Sequence, residues 1–249
     1  DLVRSRGLGD VYKRQIYNPQ NDKLSGAEAL IRWNCSKYGF MEPDKFIPLL
    51  EESALIIPLG RWIIDTAAKA CNRWITNIPD FVMHINLSFV QIVKSNIIKD
   101  VLEYIGKYSA ANNHYVFEIT ETIEMDRIPA VERVFKEFIK NDFRLAIDDF
   151  GTGYSNYGYM RDKTFDIVKV DRSFITDIDK RKNNYLMVSF IIKMAHEMGL
   201  HVCIEGVETK EELACVRELG ADYIQGYYYG KPVCVADFEE QHLKKLILG

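Results

Sequence analysis

Residues 144–149 read Arg144-Leu145-Ala146-Ile147-Asp148-Asp149, and residues 167–171 read Ile167-Val168-Lys169-Val170-Asp171. Each is a short apolar run that stops on charge. Such runs are buried strands of a parallel sheet, because an antiparallel strand with one wet face would alternate polar and apolar along its length. Working outward, the same pattern recurs at Ala27 to Arg32, Phe81 to Leu87, Tyr115 to Thr120, His201 to Glu205 and Tyr223 to Gln225. Between these runs lie stretches of helical period: Pro43 to Leu50, Arg61 to Ile75, Ile97 to Tyr108, Ile128 to Lys140, Tyr185 to Met198 and Lys210 to Leu219, with a last one at Ala236 to Ile247. Strand and helix in strict alternation predict βα units. Seven such units with one strand wanting at the N-terminus fit an α/β fold of the TIM-like (β/α)8 barrel type. No GxGxxG follows the first strand, which argues against a dinucleotide-binding sheet.

Composition narrows the partners. A net charge of −4 leaves no basic footprint for a large nucleic acid, and a phosphate-bearing ligand would need local cations. No run of eighteen or more apolar residues is present, so no membrane contact is expected from this domain and its expected location is cytoplasmic. The five cysteines, Cys35, Cys71, Cys203, Cys215 and Cys234, are scattered without metal-ligand spacing and read as reduced, packed thiols.

The polar residues carry the functional reading. Glu28 with Arg32, Asn86, Glu118 with Glu121, Asp148 with Asp149, Lys169, Glu205 with Glu208, and Gln225 all fall at or near the C-terminal ends of the expected strands. In a closed parallel barrel those ends converge on one mouth. Side chains two apart share a strand face, so Glu28, Leu30 and Arg32 point one way, and Lys169 points with Ile167 away from Val168 and Val170. Taken singly, a strand-end acid is more often a cap or a solvated loop residue. Together, several carboxylates and an amide at one mouth repel one another unless cations neutralise them, and an all-oxygen set selects Mg²⁺, Mn²⁺ or Ca²⁺ over zinc.

These motifs resemble the EAL phosphodiesterase family from about Ile16 to Pro232 or beyond. The resemblance is carried by Gly26-Ala27-Glu28-Ala29-Leu30-Ile31-Arg32-Trp33, Asn86-Leu87-Ser88, Glu118-Ile119-Thr120-Glu121, Asp148-Asp149-Phe150-Gly151-Thr152-Gly153-Tyr154-Ser155, Lys169-Val170-Asp171, Glu205-Gly206-Val207-Glu208 and Gln225-Gly226-Tyr227. It implies a barrel whose first strand is reversed, two Mg²⁺ or Mn²⁺ ions, hydrolysis of cyclic di-GMP to linear pGpG, and a homodimer serving bacterial second-messenger signalling. By resemblance Glu28, Asn86, Glu118, Asp148 and Asp149 are metal ligands, with Asp148 bridging. Glu205, Lys169 and Gln225 are catalytic. Arg32 and Leu30 meet the substrate, and Glu121 and Glu208 steady loops, Glu121 the one from Phe150 to Tyr157. The alternative is a catalytically silent EAL domain acting as a cyclic di-GMP receptor or protein-interaction module. Ala54 stands where many members have glycine and is expected to matter little.

Residues 1–15 read differently. Arg4, Arg6, Lys13 and Arg14 interrupt any apolar alternation, and only Gln15-Ile16 is similar to the family's Tyr-Gln-Pro-type first strand. The expected division is a non-family junction segment at 1–15 and the barrel domain at 16–249. The segment is expected to lie outside the barrel or to pair poorly, leaving the first strand missing or replaced.

Overall fold

The structure is a computed structural model that describes residues 8–35, 37–121, 129–153 and 164–243. β1 (Leu8–Asn18) runs antiparallel to β2 (Lys23–Cys35). The parallel strands β4 (Val82–Asn86), β5 (Tyr115–Thr120), β6 (Arg144–Phe150), β7 (Ile167–Val170), β8 (His201–Glu205) and β9 (Tyr223–Gln225) follow in ring order after β2. β1 also pairs with β9 through Tyr17 and Ile224, so eight strands close into a barrel. β3 (Gly39–Met41) only extends β2 as an outlying hairpin.

The expected parallel strands agree closely with those found, because strand faces alternate and burial on both sides demands apolar runs. The outward residues Val168, Val170, Met83, Ile85, Val202 and Ile204 pack into one large core beneath the surrounding helices. Inside the barrel, Ile16, Val116, Ala146, Ile167 and Cys203 form a separate apolar plug. The helices are α1 (Pro43–Glu52), α2 (Ile56–Trp74), α3 (Phe89–Lys94), α4 (Ile97–Ile105), α5 (Pro129–Lys140), α6 (Lys182–Glu197), α7 (Lys210–Glu218) and α8 (Val235–Phe238). Two start on reciprocal capping boxes, Ser88 with Gln91 and Thr209 with Glu212, each satisfying N–H groups a helix start leaves unpaired. The C-terminal helix expected to Ile247 is described only through Leu243, as α8 and a π-helical turn over Glu239–Leu243. Among the described residues no helix is long and apolar enough to cross a membrane.

Two expectations are overturned. Leu8–Gln15 does not lie outside the barrel: it pairs with β2 from Leu8 opposite Trp33 to Gln15 opposite Ala27. Residues 1–7 lie outside the described residues. The strand was hidden because Lys13 and Arg14, which read as solvated charges, are turned into the barrel wall. Ile16 joins the interior plug, and Arg14, two residues away on the same face, reaches Glu28. On the opposite face Val11 packs in the outer core, and Lys13 buries its whole side chain with Nζ donating to the Val11 carbonyl. Ala54, in turn, takes a φ of 56°, the left-handed region that costs a residue with a Cβ roughly 1–2 kcal/mol, so alanine there is not neutral.

Candidate active site

The acids and the lysine meet at one end of the barrel, where the parallel strands finish. Lys169 on β7 is fully buried, and its Nζ lies 2.8 Å from Glu118 Oε2, 2.9 Å from Asp148 Oδ1 and 2.9 Å from Glu205 Oε1. Three strands, β5, β6 and β8, therefore aim a carboxylate at one ammonium on β7. Glu28 on β2 accepts from Asn86 Nδ2 at 2.7 Å and from Gln225 Nε2 at 2.6 Å, which ties β2 to β4 and β9. Arg14 Nη1 stands 3.6 Å from the same carboxylate.

Asp148 and Asp149 are consecutive, and on a regular strand they would face opposite ways. Asp149 instead adopts a φ of 54°, and the β6–β7 register shifts between Ile147 and Phe150. Both carboxylates thereby serve the mouth. One oxygen each from Glu28, Glu118 and Asp148 lie within 4.8 Å of one another, and so do one each from Asp148, Asp149 and Glu205. Asp148 belongs to both groups.

This cluster is short of positive charge. Burial would raise Glu28, but Lys169, Arg14 and the two amide hydrogen bonds outweigh it and hold the carboxyl at about 2. Glu205 is pushed up to about 7 by burial, with Lys169 opposing and Asp148 and Glu28 adding to the rise. Burial and then Asp148 lift Asp149 to about 6, and burial drives Glu118 well above the usual carboxylate range. The Lys169 amine is held well above its ordinary value: burial opposes its charge, but the surrounding carboxylates prevail. Two cations against five carboxylates is an arrangement that protonation or bound metal must complete. An all-oxygen set of this kind suits a hard divalent cation over zinc.

Around this centre, Arg32 is half-buried with Nη1 donating to the Ile31 carbonyl and its guanidinium 5.8 Å from the Tyr12 ring, and Leu30 is half-buried on the same face. Glu121 is buried and accepts from the Gly151 and Gly153 amides at 2.8 and 3.3 Å, holding the start of the glycine-rich loop. Tyr154, Ser155 and the rest of that loop to Tyr157 lie outside the described residues. Glu208 has an exposed side chain, and within its turn Glu212 accepts from the Glu208, Thr209 and Asp177 amides. Asp171 turns away to cap Ser173. Gly226 lets the β9 end approach the next turn, since a Cβ there would sit 2.0 Å from the Val207 carbonyl oxygen.

Two residues of the site escaped the sequence reading. His84 is buried on β4 with Nδ1 2.7 Å from Glu118 Oε1, and its position two residues before Asn86 was the available signal. Arg14 had none, because its strand did not read as one.

An eight-stranded barrel with one reversed strand and an acidic mouth defines the class: a TIM-like α/β barrel with a carboxylate cluster that could hold metal ions. The EAL domain profile matches residues 10–232, and the chain belongs to that family. It is 30% identical to the probable cyclic di-GMP phosphodiesterase PdeG of Escherichia coli over all of this chain and 48% of PdeG. Its fold is similar to the EAL enzyme Bd1971 in its cAMP- and cyclic di-GMP-bound form, with a TM-score of 0.88 at 32% identity, covering 93% of this chain and 64% of that one. It is also similar to the PaMucR phosphodiesterase in complex with c-di-GMP, with a TM-score of 0.86 at 28% identity over 92% and 93% of the two chains. The chain spans less than two thirds of the length of the curated relatives it matches, among them a signalling protein, YkoW, of which it spans 28%.

Proposed function

We propose that this domain hydrolyses cyclic di-GMP to linear pGpG with two Mg²⁺ or Mn²⁺ ions at the barrel mouth. The observation that carries the reading is the pair of carboxylate groups sharing Asp148, with Lys169 between them. Glu28, Asn86, Glu118 and Asp148 would hold one ion, and Asp148 and Asp149 the other, with Glu205 beside it. Ions so held would supply a lowered pKa for a water and charge neutralisation at an in-line phosphoryl transition state.

The remaining work belongs to the chain. Glu205, whose Oε1 lies 2.9 Å from Lys169 Nζ within the same cluster, is placed to take a proton from the attacking water. Lys169 fixes Glu118, Asp148 and Glu205 relative to one another and offsets charge on the phosphate. Arg32 grips a substrate phosphate at the rim, with Leu30 against the ligand, and Gln225 holds Glu28 in register. The names of PdeG, Bd1971 and PaMucR support the choice of cyclic dinucleotide.

Chromatography of products after incubation with cyclic di-GMP tests the reading. Linear pGpG should accumulate with Mg²⁺ or Mn²⁺ and stop with chelator, and Ca²⁺ should inhibit strongly because its looser coordination misplaces the nucleophile. Tight binding without turnover under every metal would favour the receptor alternative. The same reading places the domain in the cytoplasm as a homodimer. Leu186, Met187 and Phe190 on α6, 54%, 49% and 60% exposed, offer an apolar contact strip. Phe190→Arg should shift the mass measured by light scattering towards that of a monomer.

A further inference from the structure

The cavity at the far end of the barrel reaches the acidic site through one side chain. Its lining includes the first residues of several parallel strands, Lys23, Val82, Arg144, Ile167 and Tyr223, which marks it as the end opposite the mouth; its volume is about 390 Å³. His84 also lines it. The imidazole thus stands between this cavity below and the Glu118 carboxylate above. Its Nδ1 is 2.7 Å from Glu118 Oε1, while Glu118 Oε2 is 2.8 Å from Lys169 Nζ. A carboxylate facing an ammonium on one oxygen accepts on the other, which assigns the ring proton to Nδ1.

We propose that His84 is a positioning residue for the metal site: its Nδ1–H locks the rotation of the Glu118 carboxylate so that an oxygen is presented to Glu28 and Asp148. This rests on the functional reading above and adds a residue to it. Glu118 has two oxygens and two protein donors on them, and a carboxylate held at both ends cannot turn when an ion approaches. Outer partners of metal ligands act this way in general, and their loss costs about 10–100-fold in affinity. A bland alternative exists, in which His84 only fills space between plug and mouth. The two differ in what substitution does, because the cavity can supply water to any gap left at position 84.

The test is Mn²⁺ binding to the substrate-free protein, by calorimetry or by the Mn²⁺ resonance signal, with thermal unfolding measured beside it. Asparagine places an amide N–H near the Nδ1 position, whereas glutamine places it near Nε2. His84→Asn should bind Mn²⁺ within about threefold of the wild type, and His84→Gln and His84→Ala should bind about tenfold or more weakly. All three at wild-type affinity, or Asn and Gln equally weak, overturns the positioning role. A variant that unfolds is set aside in favour of the Asn and Gln pair, which conserve volume better. Wild-type protein that binds no Mn²⁺ overturns the functional reading together with this inference. Wild-type binding and turnover with unchanged affinity in the variants overturns this inference alone.

Discussion

β7 and β1 each carry a lysine with no exposed surface, on opposite sides of the barrel wall. Lys169 points inward among Glu118, Asp148 and Glu205 and keeps its proton more tightly than a lysine in water. Lys13 points outward beneath the helices, where its Nζ donates to the Val11 carbonyl and Asp10 is its attractive charge. Burial wins there and lowers it to about 7. Equal burial therefore gives opposite shifts, and what decides is the number of anions within reach. The inward lysine is part of a site, and the outward one is a cost that the strand carries.

Breaking the inward half should give the largest effect. Lys169→Met leaves three carboxylates facing one another, so the metal-free protein should lose about 3–5 kcal/mol of stability in urea titration. Mn²⁺ should restore much of that loss, while turnover falls at least about a hundredfold. A stable, active Lys169→Met protein would remove Lys169 from the centre of the site.

Breaking the outward half should act in the other direction. Lys13→Met removes a poorly compensated amine from an apolar setting and should stabilise the fold by about 1–4 kcal/mol at neutral pH. The pH dependence has a definite sign. The folded-state pKa of about 7 lies below the 10.5 of the free side chain, so between those values the unfolded chain holds a proton that the folded chain lacks. Wild-type stability should rise with pH across that window, and Lys13→Met should be flatter. Urea midpoints at pH 7 and pH 9 for both proteins make the comparison.

The smallest effect sharpens the contrast by moving to the surface. Asp222 is held at about 2, where burial opposes hydrogen bonds from His201, His196 and the Val202 amide, and His201 is raised by its bond to Asp222. Both imidazoles are more than a third exposed, so solvent screens the pair and His201→Asn should cost less than about 1 kcal/mol. A raised histidine stabilises fully below its ordinary pKa and loses that contribution as pH rises through its folded value. The loss on mutation should therefore appear in thermal unfolding at pH 5 and fade by pH 8.

Much of the parallel barrel was legible because a strand buried on both faces has a local signature. Ile167-Val168-Lys169-Val170 announces itself without knowledge of its neighbours, and a lysine in such a run demands anions nearby. The list of acids at strand ends was legible for the same reason. Glu212 was not, because a capping carboxylate on a helix looks like any surface glutamate until the turn it faces is known. Ala54 was misjudged because a φ of 56° leaves no trace in an alanine.

The sequence by itself determined the alternation of strand and helix, the direction in which Glu28 and Lys169 point, and an oxygen-only donor set without Cys or His. Those follow from side-chain periodicity and from chemistry that each residue carries alone. Only the tertiary structure decided that Leu8–Asn18 closes the ring, that Asp149 bends back beside Asp148, and that His84 and Arg14 join the site. Each of these depends on a partner distant in the chain. Arg14 looks like a solvated charge until strand register sets it opposite Glu28, and register is a property of two strands together.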